Sequence, residues 1–399
     1  MTGTNGKPTL PEMNLRIIFI NGFGRSGTTL LMSLLDGHPS LVVCPLEMPF
    51  IEEFHQISGN KDYCDGNVFV RYILEDSPFR HVGGFARTAG ASPFDLTSVN
   101  KKVFQHSLDV LKDRQVTIQE AFSGIAHAFS EALYGNKVPP SKSHFAMKMN
   151  DLGRLNSYLD LFPDAKTVLG VRHPMPYFES RSMYLYKAYK SNRPPHLAKI
   201  IHEDNLVSYE DGLEQVRRSG THKRCLINKL EDMHADLKAN MGRIAEFIGI
   251  PYHDALVFPT ILNKPYEGNT VYEHKRSTDI SQYRYDRTRC PFQEYVVSHR
   301  VNPEPLYRHE KSGVRPSLWS PALYRLTQEE KLHWKATSIF SPIGRGGRLA
   351  RFVAGLPSII KPLARGVINP LLWTYRLKEL PLGYIRYRKW LSNEAAKMG

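Results

Sequence analysis

Arg16-Ile17-Ile18-Phe19-Ile20-Asn21-Gly22-Phe23-Gly24-Arg25-Ser26-Gly27-Thr28-Thr29-Leu30-Leu31 is the stretch that decides the fold. Arg16–Asn21 is a short apolar run of the kind that fills a strand buried on both faces. The turn that follows is rich in glycine, and Thr28–Asp36 has helical composition, closed by Gly37-His38-Pro39. Strand, glycine turn and helix in that order place consecutive backbone N–H groups at a helix N-terminus, which makes an anion cradle. Gly22 and Gly27 have the spacing of G-x-x-x-x-G-K-[ST], with Thr28 in the lysine position. Thr28 and Thr29 add hydroxyl donors, and Arg25 puts the cation inside the loop.

Further along, strands are expected at Leu41–Cys44, Phe145–Met149, Lys166–Val171 and Cys225–Asn228. Helices are expected over 116–134, 152–161, 175–190 (broken by Ser191-Asn192-Arg193-Pro194-Pro195) and 233–248, the last ending at Gly249. Residues 55–100 read as irregular. Strands alternating with helices imply an α/β fold, a P-loop-type parallel sheet with helices on both faces. The alternation stops near residue 330.

A second anion site is written into Lys166-Thr167-Val168-Leu169-Gly170-Val171-Arg172-His173-Pro174. Here a strand runs into an arginine, and Ser180 follows eight residues after it. Arg172 offers a planar fork of donors suited to phosphate, and Ser180 a hydroxyl near a helix start. Two anion sites beside one sheet imply a ligand with two separated anionic groups.

These paired motifs resemble the sulfotransferase family. Its 5′-phosphosulfate loop is similar to Gly24-Arg25-Ser26-Gly27-Thr28-Thr29-Leu30-Leu31, and its 3′-phosphate motif to Arg172-His173-Pro174 with Ser180. The resemblance extends to Lys148 in Met147-Lys148-Met149-Asn150, to Phe247–Tyr252 and to Lys275-Arg276-Ser277-Thr278, covering residues 16 to about 290. Arg25 through Glu47, and Glu273–Ser277, look most like tyrosylprotein sulfotransferases and their bacterial relatives. The R-K-G-x-x-G-x-W segment of cytosolic small-molecule sulfotransferases is absent from the sequence.

The resemblance implies 3′-phosphoadenosine 5′-phosphosulfate (PAPS) as donor, held by Arg25, Ser26, Gly27, Thr28, Thr29, Arg172 and Ser180. It gives Glu47 the role of general base, Lys148 and Arg25 that of cations at the transferring group, and Ser277 a contact to the leaving group. No metal is expected, because Lys and Arg can neutralise the leaving phosphate. His38 competes for the base role, but a His-Pro after a helix end is more often a capping or packing residue. The acceptor is expected to be a hydroxyl of a carbohydrate, lipid, small metabolite or phenol.

Of 399 residues, 53 are Lys or Arg against 39 Asp or Glu, a net charge of +14. Residues 331–399 hold 13 Lys or Arg against two acids, Glu379 and Glu394, so the tail carries +11 and the rest is nearly balanced. The expected organisation is a flexible N-terminus (1–14), a sulfotransferase P-loop domain (15–330) and a basic, aromatic-rich C-terminal extension (331–399). Residues 345–392 interleave basic residues with Trp373, Tyr375, Tyr384, Tyr387 and Trp390. Peripheral contact with an anionic membrane and packing on the enzyme or a second subunit both fit that pattern. No specific nucleic-acid partner is expected. The four cysteines are scattered without a C-x-x-C, which excludes a disulfide scaffold or cysteine zinc knuckle. With no apolar leader at Met1–Asn14 and no ~18–20-residue apolar run, the expected location is cytoplasmic, with peripheral membrane association through the tail. Two rival classes exist. A P-loop kinase needs the missing lysine and a magnesium-binding Asp, whereas the Thr167–Val171 strand ends in Arg172. A non-catalytic membrane or nucleic-acid binder would work through the tail alone.

Overall fold

A computed structural model of the chain describes residues 15–86, 94–135, 138–149, 151–174, 176–178, 180, 181, 209–218, 222–266, 306 and 307. Most of the helix expected over 175–190, Ser277, the N-terminus 1–14 and the whole extension 331–399 lie outside the described residues.

Five strands form the central sheet: β1 (Arg16–Gly22), β2 (Leu41–Glu47), β3 (His144–Lys148), β4 (Lys166–Val171) and β5 (Cys225–Lys229). Their order is β2-β3-β1-β4-β5, and every neighbouring pair is parallel. Parallel strands need long crossovers, and the intervening helices cover the faces. All five carboxyl ends therefore lie along one edge, where open α/β sheets bind their ligands.

The helices are α1 (Thr28–Leu35), α2 (Phe50–Ser58), α3 (Gly66–Glu75), α4 (Lys101–Ser107), α5 (Ile118–Tyr134), α6 (Leu155–Leu161), α7 (Leu230–Ala235) and α8 (Leu237–Ile248). The helix starting at α5 is fixed by a capping box: Thr117 accepts from Glu120 N–H, and the Glu120 carboxylate accepts from Thr117 N–H. Phe122 of α5 then reaches the sheet. Its ring lies 5.7 Å from Phe19 of β1, 6.2 Å from Phe145 of β3 and 5.0 Å from Phe162. Fully burying each such ring contributes about 1.5–3 kcal/mol, so this aromatic layer anchors one face of the sheet.

Two expectations need correction. Residues 55–100 are well structured where described: α2 ends there, α3 follows, a 3₁₀ turn occupies Pro78–His81, and Phe85–Ala86 pairs with Phe94–Asp95. Their Gly, Asp and Ser residues are punctuation between short elements. Gly59 caps the end of α2, Asp65 accepts from Asn67 and Val68 N–H at the start of α3, and Ser77 caps the 3₁₀ turn. The helix expected over 233–248 is two helices. Asp236 ends α7 and accepts from Ala239 N–H at 2.9 Å, starting α8 in a new direction.

Candidate functional site

The loop between β1 and α1 is shaped by close backbone contact. A Cβ on Gly22 would lie 2.2 Å from the Gly170 carbonyl oxygen, so β1 and β4 approach there only because position 22 is glycine. Gly27 caps α1 in the left-handed conformation, φ 84°. Arg25 is left-handed as well, φ 75°, a conformation uncommon outside glycine and concentrated at functional sites. Ser26 is buried, and its hydroxyl turns back to donate to the Phe23 carbonyl at 2.6 Å. Its backbone N–H donates to the same carbonyl at 3.2 Å, so Ser26 holds the loop from both its side chain and its main chain. Phe23 is buried against Tyr209, ring on ring at 4.9 Å, and closes the loop from below.

The two sequence motifs meet. Arg25 Nε donates to the Ser180 hydroxyl at 3.1 Å, and Arg172 Nη1 donates to the Arg25 carbonyl at 3.1 Å. Arg172 and Ser180 are both buried. Tyr209 fixes Arg172 from behind, its hydroxyl donating to the Arg172 carbonyl at 2.7 Å. Burial drives the Tyr209 phenol well above its ordinary pKa, so it remains a neutral donor.

On the other side of the loop stand Thr29, Lys148 and Glu47. Lys148 Nζ donates to Glu47 Oε2 at 2.6 Å and to Thr29 Oγ1 at 3.3 Å, so one ammonium joins the acid to the cradle. The Lys148 side chain is 13% exposed and that of Glu47 31%, which leaves the carboxylate within reach of a ligand. A bulge in β2 sets this pairing. Cys44 lies opposite Met147, yet Glu47 lies opposite Lys148, so Pro45 and Leu46 are extra residues in the register. Proline lacks the N–H a regular ladder would use, which suits it to such a bulge.

Sequence reasoning missed the supports. Asn21 is fully buried: its Nδ2 donates to the Asp151 carbonyl (3.0 Å), while its Oδ1 accepts from Gly22 N–H (2.9 Å) and Asp151 N–H (3.1 Å). It ties the end of β1 to the segment after Lys148. Burial raises the Asp151 carboxyl above the usual carboxylate range, against the opposing charge of Arg154. Glu231, at the start of α7, accepts from His173 N–H at 2.9 Å. Arg181 comes close to the loop, its Nη1 3.3 Å from where a Cβ on Gly24 would sit. An asparagine ending an otherwise apolar strand was the one readable signal for Asn21; the others carry none.

His38 has the packing role expected of it. Its Nε2 is 3.0 Å from the Pro251 carbonyl, and its Nδ1 accepts from Ser40 N–H at 3.1 Å. Cys44, Cys64 and Cys225 are buried free thiols, and burial pushes Cys44 up to about 12. Among the described residues no group of His, Cys, Asp and Glu could hold a metal, and no helix is long and apolar enough to cross a membrane.

The carboxyl edge of the parallel sheet thus carries a glycine cradle, the buried Arg172, the half-buried Arg25 and an acid on a lysine, an arrangement suited to an anionic group. Residues 17–254, more than half of the chain, match the sulfotransferase family. The chain belongs to that family and is a transferase of sulfuryl groups. No curated protein matches it in sequence. Among solved structures it is similar to the sulfotransferase domain from the curacin biosynthetic pathway, at 18% identity and TM-score 0.37 over 67% of this chain and 82% of that one. It is similar too to the sulfotransferase domain of the Synechococcus PCC 7002 olefin synthase (16%, 0.36, 82% and 98%). A sulfotransferase from Mycobacterium tuberculosis H37Rv is a third (14%, 0.35, 61% and 69%).

Proposed function

We propose that the protein transfers a sulfuryl group from PAPS to an acceptor hydroxyl, with Glu47 as general base. The observation that carries this reading is the Lys148 ammonium, bonded at once to Glu47 and to Thr29 of the cradle. It links a proton acceptor to the place where the donor's phosphosulfate would bind.

The donor fits the residues present. The 5′-phosphosulfate is assigned to the backbone N–H groups of Gly27, Thr28 and Thr29 at the N-terminus of α1, where the helix dipole favours negative charge. The 3′-phosphate is assigned to Arg172 and Ser180, with Arg25 between the two ends. Glu47 takes the proton of the acceptor hydroxyl, whose oxygen forms the new bond to sulfur. The bond from sulfur to the bridging oxygen of the phosphosulfate breaks, and that oxygen leaves as phosphate, its growing charge met by Lys148. Adenosine 3′,5′-bisphosphate is the product. Positioning of the two oxygens in line supplies much of the remaining acceleration.

The test pairs two variants. Turnover with labelled donor and a panel of hydroxyl acceptors, followed by mass spectrometry for the sulfate adduct, is expected to fall about 10²–10⁴-fold in Glu47→Gln. Binding of adenosine 3′,5′-bisphosphate, measured by calorimetry, is expected to survive in that variant and to weaken in Arg172→Ala. Full turnover in Glu47→Gln removes it as the base, and an unchanged dissociation constant in Arg172→Ala removes the 3′-phosphate assignment.

A further inference from the structure

Behind the Arg172 motif a second layer of contacts converges on one carboxylate. Glu231 Oε1 accepts from the backbone N–H of His173 at 2.9 Å, and its Oε2 accepts from the Tyr307 hydroxyl at 2.8 Å. The Tyr307 ring meets the His173 imidazole edge-on at 5.3 Å. Lys229 Nζ lies 5.0 Å from the centre of the same ring. Lys229 is opposite Val171 in the β4–β5 ladder, so the whole group stands at the carboxyl edge next to Arg172. Burial and the adjacent Glu231 both raise the Tyr307 phenol, which keeps its proton on the hydroxyl and the hydrogen bond in place.

We propose that Glu231 is a positioning residue for the 3′-phosphate side of the site, bridging the Tyr307 hydroxyl to the backbone of the Arg172-His173-Pro174 motif. The peptide between Arg172 and His173 is held at both polar ends. Tyr209 donates to its carbonyl, and Glu231 accepts from its N–H. With that peptide pinned, the Arg172 side chain leaves the sheet edge in one direction, already oriented for a phosphate. Without Glu231, donor binding must first order it, and the cost appears as lost affinity. Through Tyr307 this bridge also brings residues 306 and 307, far along the chain, to the donor side of the sheet.

The inference rests on the donor reading above, and its test separates the two. Wild type and three variants are titrated calorimetrically with adenosine 3′,5′-bisphosphate, and their unliganded melting temperatures are recorded. Glu231→Leu loses both of its hydrogen bonds, and is expected to weaken binding about tenfold through the one that holds His173 N–H. Tyr307→Phe keeps the ring and removes only the hydroxyl, and is expected to weaken binding about threefold. Glu231→Gln can still accept from His173 N–H and can donate to the Tyr307 oxygen, so it is expected to bind within about twofold of wild type. In turnover, Glu231→Leu raises the donor KM while kcat at saturating donor holds. Lower melting temperatures with unchanged dissociation constants in Tyr307→Phe and Glu231→Leu overturn the proposal and leave Glu231 a structural residue. Should Glu231→Leu fail to fold, Tyr307→Phe decides alone. No binding by wild type refutes the donor reading itself.

Discussion

Replacing Asn21 by leucine asks whether one buried amide holds the two halves of the site in register. The side chain is fully buried and makes three hydrogen bonds, to Gly22 N–H, Asp151 N–H and the Asp151 carbonyl. Leucine has the same branching and is somewhat larger, so the change removes polar partners without leaving a cavity. Gly22 is buried, and its orphaned N–H costs about 1–3 kcal/mol. Asp151 is half-buried, so its two groups recover water in part and cost about 1 kcal/mol each. The expected loss is therefore about 3–5 kcal/mol, a large share of the ~5–15 kcal/mol typical of a folded domain. Asn21→Asp keeps both acceptor bonds but sets a carboxylate oxygen against the Asp151 carbonyl, so it should fall between leucine and wild type. Urea unfolding with linear extrapolation measures both. A leucine variant within about 0.5 kcal/mol of wild type, or an aspartate variant less stable than the leucine one, refutes the reasoning.

Two further outcomes follow from neighbouring geometry. A Cβ on Gly170 would lie 2.9 Å from Thr28 Cγ2 and 3.1 Å from Ser26 Oγ, so Gly170→Ala presses on the anion loop from the adjacent strand. Overpacking of about 1–3 kcal/mol is expected, with weaker bisphosphate binding by calorimetry; unchanged binding means that the loop yields freely. His38 is held as the neutral ring by an acceptor role toward Ser40 N–H, and burial lowers its pKa below 6.5. The unfolded chain then binds the proton more readily, so stability is full above about pH 6.5 and falls as pH drops below it. His38→Asn should lose about 1 kcal/mol at pH 7.5, yet show a shallower acid slope in thermal melts. His144, lowered by the same cause, keeps the rest of that slope. An equally steep slope in His38→Asn sinks this assignment.

The sheet was legible in the sequence because four of its strands, β1 to β4, are buried along nearly their whole length. Ile17–Ile20, Phe145–Met147 and Val168–Val171 stand out as apolar runs, and four of the five strands are bounded by glycine, proline or charge. The site residues that could be read are those whose chemistry is local: a glycine turn, an arginine after a strand, a serine eight residues on. What escaped is what only the fold brings together. Tyr209 bonds the Arg172 carbonyl from 37 residues away, Glu231 bonds His173 N–H from 58, and Asn21 bonds Asp151 across 130. Nothing in their flanking residues marks them. The short helices between 50 and 76 escaped for a different reason, since a helix of nine or ten residues shows fewer than three repeats of its apolar period.

The bulge at Pro45 and Leu46 gives β2 two independent gauges. Leu41–Cys44 answer to the core, where a shift of one residue would turn every side chain to the wrong face. Glu47 answers only to the length of the inserted segment, which sets where its carboxylate meets Lys148. Changes in that short stretch can therefore move the acid along the sheet edge while the buried ladder stays in step. Pro45 and Leu46 are themselves buried, Leu46 within the hydrophobic core, so such a change must keep their apolar packing while it resets the reach of the acid.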